Sequence, residues 1–161
     1  MPSFDVVSRT DIAEVDNALN GVKRETMQRF DLKGTKCGIE RTGDVLTVTA
    51  DDDLKLKQMH ELLVTYLVRR NVDPKALEYK TPEKATAGSL RQTVNIKQGI
   101  EKELASKITK AIKGTKIRVQ VTVQGDEMRI SGKKRDDLQE TIQFIKEMGI
   151  EQPLQYINFR E

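Results

Sequence analysis

The side chains best suited to chemistry in this sequence are cations set beside glycine. Lys33-Gly34-Thr35-Lys36 recurs as Lys113-Gly114-Thr115-Lys116, and a third basic turn, Gly132-Lys133-Lys134-Arg135, precedes the last helical stretch. Each tetrapeptide offers two ammonium groups, a hydroxyl and a residue that lets backbone come close to a ligand, a set that suits phosphate. A basic turn opening a helix adds backbone N–H donors, and each hydrogen bond to a charged partner contributes about 1.5–3 kcal/mol. The motifs are not a P-loop or a dinucleotide fingerprint: neither Gly-x-x-x-x-Gly-Lys-Ser/Thr nor Gly-x-Gly-x-x-Gly occurs.

Other chemistry has little support. His60 is the single histidine and falls inside a helical run, beside Met59 and Glu61, where a surface or boundary position is expected. No second histidine and no nucleophile elbow accompany it, so no catalytic residues are assigned and the protein is not expected to be an enzyme. Asp51-Asp52-Asp53 reads as acid stabilised by a helix N-terminus rather than as a metal site. One cysteine, Cys37, forms neither an intrachain disulfide nor a zinc site, so no metal or cofactor is expected.

These groups need elements to carry them, and the repeat describes those elements. With 161 residues the chain is one medium domain or two small ones, and the duplicated motif favours two. In each half a helical stretch ends at Lys-Gly-Thr-Lys. Two alternating runs joined by Gly-Asp (Gly43-Asp44, Gly125-Asp126) follow, then a second helix, a proline and an extended piece with a tyrosine (Tyr79, Tyr156). Ile12, Val15, Ala18, Leu19 and Val22 keep a helical stripe over 11–29, with Ser8 or Thr10 as its cap. Ile100, Leu104, Ile108 and Ile112 repeat it in the second half. The second helices span 53–70 and 135–148. Ile117, Val119, Val121 and Val123 alternate with polar residues, as do Leu46, Val48 and Ala50, which predicts half-buried antiparallel hairpins. Each half therefore reads strand–helix–strand–strand–helix–strand, the ferredoxin-like order, in an α+β protein. Residues 81–89 lack periodicity and read as a linker. Strands 4–8 and 154–159 carry apolar residues on both parities, which predicts central or doubly covered positions.

Charge narrows the partners. Net charge is +3, yet residues 89–161 hold 14 Lys and Arg against 10 Asp and Glu. Between Glu103 and Asp126 lie Lys107, Lys110, Lys113, Lys116 and Arg118 with no acid, a local field for anions. The outward hairpin positions Arg118, Gln120, Thr122, Gln124, Arg129 and Ser131 include no aromatic, so base stacking of the RRM kind is not expected. No apolar run approaches the roughly 20 residues of a membrane helix, and Met1-Pro2-Ser3-Phe4-Asp5 lacks signal-peptide features, so a cytoplasmic protein without membrane contact is expected.

Met1-Pro2-Ser3-Phe4-Asp5-Val6-Val7-Ser8, Arg29-Phe30-Asp31-Leu32-Lys33-Gly34-Thr35, Gly132-Lys133-Lys134-Arg135-Asp136-Asp137-Leu138-Gln139 and Pro153-Leu154-Gln155-Tyr156 with Asn158-Phe159-Arg160 together resemble the YajQ family of small bacterial proteins. Leu32, Tyr156 and Glu151-Gln152 depart mildly from its pattern. The resemblance implies two ferredoxin-like domains that exchange N-terminal strands. Residues 10–97, including strand 90–97, form the first, and residues 1–9 with 98–161 form the second, completed by strand 4–8. It also implies nucleotide binding, with cyclic di-GMP a ligand of some members that influence transcription, and no established catalysis. On charge and geometry the phosphate-binding residues are expected to be Lys33, Lys36, Lys113, Lys116, Lys133, Lys134 and Arg135, with Arg91, Arg118 and Arg160 as guanidinium partners. The expected ligand is ATP, GTP or cyclic di-GMP, the doubled motif suiting a ligand with two phosphate-linked halves, and a transcriptional regulator is a candidate partner. The alternatives are an RNA- or DNA-associated adaptor that grips the phosphate backbone without a pocket, and a protein–protein adaptor that uses Ile157 and Phe159.

Overall fold

The computed structural model describes residues 1–161 and shows an α+β protein with four α-helices and two antiparallel sheets. In chain order the elements are β1 (Ser3–Val7), α1 (Ile12–Gln28), β2 (Gly38–Thr42), β3 (Val45–Ala50), α2 (Asp53–Arg69), β4 (Leu77–Tyr79), β5 (Glu83–Lys84), β6 (Leu90–Ile96), α3 (Lys102–Lys113), β7 (Val119–Gln124), β8 (Glu127–Gly132), α4 (Arg135–Glu147) and β9 (Gln155–Arg160). The chain falls into two compact units, Thr10–Lys97 on one hand and Met1–Arg9 with Gln98–Glu161 on the other.

In the unit Thr10–Lys97 the strand order is β2-β3-β6-β4, with β5 also paired to β6. Leu46, Val48 and Ala50 alternate into the core, and the register sets Leu46 opposite Val94 and Val48 opposite Gln92. The apolar stripes of α1 (Val15, Ala18, Leu19, Val22) and α2 (Leu56, Met59, Leu63, Leu67) complete that core. The two helices approach at Gly21, where an added Cβ would lie 2.3 Å from the Tyr66 ring, so no larger residue fits unless Tyr66 moves. Asp11, rather than Ser8 or Thr10, caps α1: it directly precedes the first helical residue, and its carboxylate accepts from Glu14 N–H at 3.3 Å. Thr81–Ser89, expected as a linker, is folded. Glu83 and Lys84 pair with Arg91 and Leu90, and Ala87 (φ 58°) with Gly88 (φ 80°) turns the chain back into β6. Its Pro, Gly and Ala residues are hairpin chemistry that composition alone does not separate from a linker.

The second unit orders its strands β7-β8-β1-β9. The strand that precedes α1 in the chain, β1, therefore pairs in the same sheet as β7, β8 and β9, while β6, which precedes α3, pairs in the other sheet. Central between β8 and β9, β1 is buried at all five positions. Phe4 and Val6 join Ile108, Ile130 and Ile145 in the core, and Asp5 takes the opposite face. The outcome differs for β9, which was expected to be central or covered on both faces. It is an edge strand, half-buried over Gln155–Ile157 and exposed over Asn158–Arg160, and Phe159 is 59% exposed while still stacking on Phe4 at 5.7 Å. The register of β9 on β1 shifts between Ser3 and Asp5, beside Asn158 at φ +56°. Asparagine tolerates this conformation, and the bulge re-aims its side chain.

Candidate functional site

Four of the expected cations meet in one place. Lys116, Arg118, Lys133 and Lys134 line a cavity of about 660 Å³ in the unit formed by Met1–Arg9 and Gln98–Glu161. That volume is in the range of small-ligand pockets. Gln120 and Ser131, a cross-strand pair of β7 and β8, contribute neutral hydrogen-bonding groups, and Asp137 is the one carboxylate in the wall. None of the four cations is in an ion pair, which leaves their charge for a ligand.

Local structure explains how each is held. After α3, Thr115 fixes the turn: its hydroxyl donates to Ile112 C=O at 2.6 Å and accepts from Ile117 N–H at 3.2 Å. Lys116 is thereby presented to solvent and Arg118 is led into β7. Gly132 sits where an added Cβ would come within 3.2 Å of the Arg118 carbonyl and the Val119 side chain, so β8 runs close under the edge strand. Next, Lys133 and Lys134 turn the chain into α4. Lys134 is the N-cap residue and makes no side-chain capping bond, so the first-turn N–H groups of α4 lack a cap acceptor from it. The helix dipole adds positive character beside the lysines. An anion with several oxygens fits this arrangement.

The other expected residues lie elsewhere. Lys113 is exposed in the last turn of α3, outside the cavity wall. Arg135, at the first position of α4, pairs with the carboxylate of Glu161, and Arg160 pairs with Asp5 at 2.8 Å, so neither is a free cation. Lys33, Lys36 and Arg91 belong to the unit Thr10–Lys97, with Arg91 exposed on β6 opposite Glu83.

The expectation of paired cationic corners is corrected by the same comparison. Counting eight residues from the glycine of each Gly-Asp joint, Gly43 leads to Asp51 and Gly125 to Lys133. Asp51-Asp52-Asp53 thus occupies the place of Lys133-Lys134-Arg135, and only one unit has a basic helix start. Moreover, Thr35 makes the bonds of Thr115, donating to Leu32 C=O at 2.6 Å and accepting from Cys37 N–H at 3.3 Å. In both copies the threonine hydroxyl, expected to meet phosphate, is engaged by the fold. The glycines differ, with φ +78° at Gly34 and −74° at Gly114.

Sequence reasoning missed a second polar cluster. Asp5, 5% exposed, accepts from Arg160 at 2.8 and 3.2 Å, from Asn158 at 2.9 Å and from Arg129 at 3.1 Å. The Arg160 guanidinium above all, then Asn158 and Arg129, hold the Asp5 carboxyl well below the usual carboxylate range against the opposing effect of burial. This cluster ties β1 to both neighbours. His60 is half-buried on α2, its Nε2 2.5 Å from Gln92 Oε1 and its ring 4.7 Å from Tyr79. Since Gln92 Nε2 donates to Lys80 C=O at 2.7 Å, Gln92 Oε1 is the acceptor and His60 Nε2 carries the proton. A boundary histidine that satisfies a buried glutamine is a structural role.

The fold and the basic cavity define a small two-unit anion-binding α+β protein. The chain belongs to the family described as nucleotide-binding protein YajQ-like, whose model matches residues 2–160. It is 61% identical to a nucleotide-binding protein of Paramagnetospirillum magneticum and 62% identical to one of Parvibaculum lavamentivorans, in each case over the full length of both chains. A nucleotide-binding protein of Rhodospirillum centenum is 54% identical over the same span. No helix is long and apolar enough to cross a membrane.

Proposed function

We propose that this protein is a non-catalytic nucleotide receptor of the cytoplasm that holds phosphates in the cavity walled by Lys116, Arg118, Lys133 and Lys134. One observation carries the reading: four cations without carboxylate partners surround a ligand-sized cavity beside a helix start that no side chain caps. The names borne by the relatives, nucleotide-binding proteins, agree with it. The wall contains no histidine and no cysteine, which favours recognition over turnover. Within that reading the two units are tandem ferredoxin-like domains, 10–97 and 1–9 with 98–161, that have exchanged strands β1 and β6. The strand orders β9-β1-β8-β7 and β4-β6-β3-β2 support this, since each is the ferredoxin-like order once the exchanged strand is counted first. A cyclic dinucleotide of the cyclic di-GMP type, with phosphates on two sides, is the ligand class proposed, and a regulatory output through a transcriptional partner follows from it.

Calorimetry with ATP, GTP and cyclic di-GMP tests the proposal on wild type and on the variant Lys116→Glu/Arg118→Glu/Lys133→Glu/Lys134→Glu. At least a ~100-fold loss of affinity is expected, the sum of a few charged hydrogen bonds. Reversal of Lys33 and Lys36 should leave affinity within about twofold. Unchanged binding in the fourfold variant would remove these residues from the site. Affinity that climbs with oligonucleotide length and falls steeply with salt would instead point to a nucleic acid backbone.

A further inference from the structure

The four edge strands of the two sheets are not alike. An exposed edge offers unpaired N–H and C=O groups to any other strand, and proteins blunt such edges with charge, proline, bulges or brevity. Three of the four edges are blunted. Along β9 there is a bulge at Asn158, with Arg160 following. Glu40 and Arg41 charge β2, held by Lys23 at 3.2 Å and Asp16 at 2.5 Å. The outer side of β6 is covered by two short pieces, β4 and β5, with Pro82 between them. The fourth edge, β7, has none of these devices. It is Val119-Gln120-Val121-Thr122-Val123-Gln124, six residues without charge or proline, in unbroken register with β8 from Val119–Gly132 to Gln124–Glu127. Val123 is 48% exposed.

We infer that β7 is a self-association edge, and that its occupant is β7 of a second copy of this chain, antiparallel about a twofold axis. The backbone selects the register. A two-residue turn with glycine first, at φ +61°, makes Gln124 and Glu127 a hydrogen-bonded pair. Alternation then turns the N–H and C=O groups of Val119, Val121 and Val123 away from β8. Centring the pair on Val121 uses all three: Val121 faces Val121 of the second copy, and Val119 faces Val123. Shifting the centre to Thr122 keeps fewer. Charge selects the direction. Lys116 and Arg118 precede the strand, and Asp126 follows it. In the antiparallel pair centred on Val121, Lys116 of each copy lies level with Asp126 of the other, whereas a parallel pair sets lysine beside lysine. Within the strand no like charges can oppose each other, because it has none. Valine then pairs with valine on the helix-facing side and glutamine with threonine on the other, contacts that stabilise cross-strand pairs. Twofold pairs of this kind are the commonest oligomers. The inference is independent of the nucleotide reading.

Sedimentation equilibrium on the full chain tests it. Wild type should shift reversibly with concentration from 18.3 kDa toward twice that mass, with a midpoint in roughly the micromolar range expected of a small interface. Val121→Lys sets two ammonium groups face to face and should stay monomeric, as should Val121→Glu. An equimolar mixture of the two should recover the dimer, because the opposed pair becomes lysine and glutamate. Val123→Lys, at a more exposed position, serves as the second disruptive variant, and far-ultraviolet circular dichroism verifies that each is folded. A wild type that remains monomeric at millimolar concentration overturns the inference. So does a dimer that survives in folded Val121→Lys and Val123→Lys.

Discussion

Helices α2 and α4 begin at the same point of a duplicated design and with opposite charge. At α2, Asp52 accepts from Lys55 N–H at 2.8 Å and Asp51 accepts from Lys36 N–H at 2.8 Å, so its carboxylates complete the helix start and steady the turn that precedes β2. At α4, Lys133 and Lys134 do neither, and the cap residue makes no bond. Basic residues at a helix N-terminus oppose the dipole, an arrangement that is unfavourable for folding alone. The contrast teaches that duplication preserved the elements while one helix start kept its structural satisfaction and the other gave it up. A site that binds anions requires donors left open, and only the second start has them.

The sharpest way to break this comparison separates paired from unpaired cations within one unit. Asp5→Asn keeps the shape of the Asp5 cluster but leaves Arg129 and Arg160 without a carboxylate. About 2–3 kcal/mol of stability should be lost, read by urea denaturation, with phosphate affinity unchanged. The pH dependence follows from the depressed Asp5 carboxyl. In the folded state it binds a proton less readily than in the unfolded chain, so its contribution is full above the ordinary aspartate range of about 3.9 and fades as pH falls below it. The Asp5→Asn variant should therefore show a shallower loss of stability on acidification than wild type. An equal acid slope in both would show that the cluster does not govern that limb.

A second test exchanges the two helix starts. Lys133→Asp/Lys134→Asp/Arg135→Asp should reduce nucleotide affinity by about 100-fold, roughly 2.7 kcal/mol, while raising the melting temperature through a new cap at position 134. The converse change, Asp52→Ala, should cost about 1 kcal/mol with no effect on binding. If the acidic α4 variant melts lower than wild type, its basic start was not a concession to ligand binding.

Much of the frame was readable before any coordinates. The i, i+4 stripes place α1 over 11–29, and it spans Ile12–Gln28. The alternation of valines places β7, and the Gly-Asp joints place both hairpin turns. Such signals are local, so a single sequence carries them. What lay beyond reach was pairing across long separations. Arg160 and Asp5 stand 155 positions apart and Arg129 and Asp5 124, so nothing in the sequence marks which arginines are spent on the fold. The edge position of β9 was equally hidden, because apolar residues on both parities also arise where a bulge shifts the register and Phe159 reaches Phe4. The inequality of the two helix starts was legible, by contrast, to a count from the glycine joints, but the matching tetrapeptides drew attention to likeness instead.

The smallest expected effect tests that likeness itself. Thr35→Val and Thr115→Val each remove one hydroxyl that donates at 2.6 Å to a carbonyl three residues earlier and accepts a backbone N–H two residues later. If the shared tetrapeptide is scaffold in both units, each change should cost about 1 kcal/mol or less, and neither should alter nucleotide affinity. A hydroxyl that served phosphate would break the symmetry, since Thr115 adjoins the basic cavity and Thr35 does not. Affinity lost in Thr115→Val alone would mean that its proton turns from Ile112 C=O toward a bound ligand, and equal behaviour would confine phosphate recognition to the lysines, Arg118 and the open start of α4.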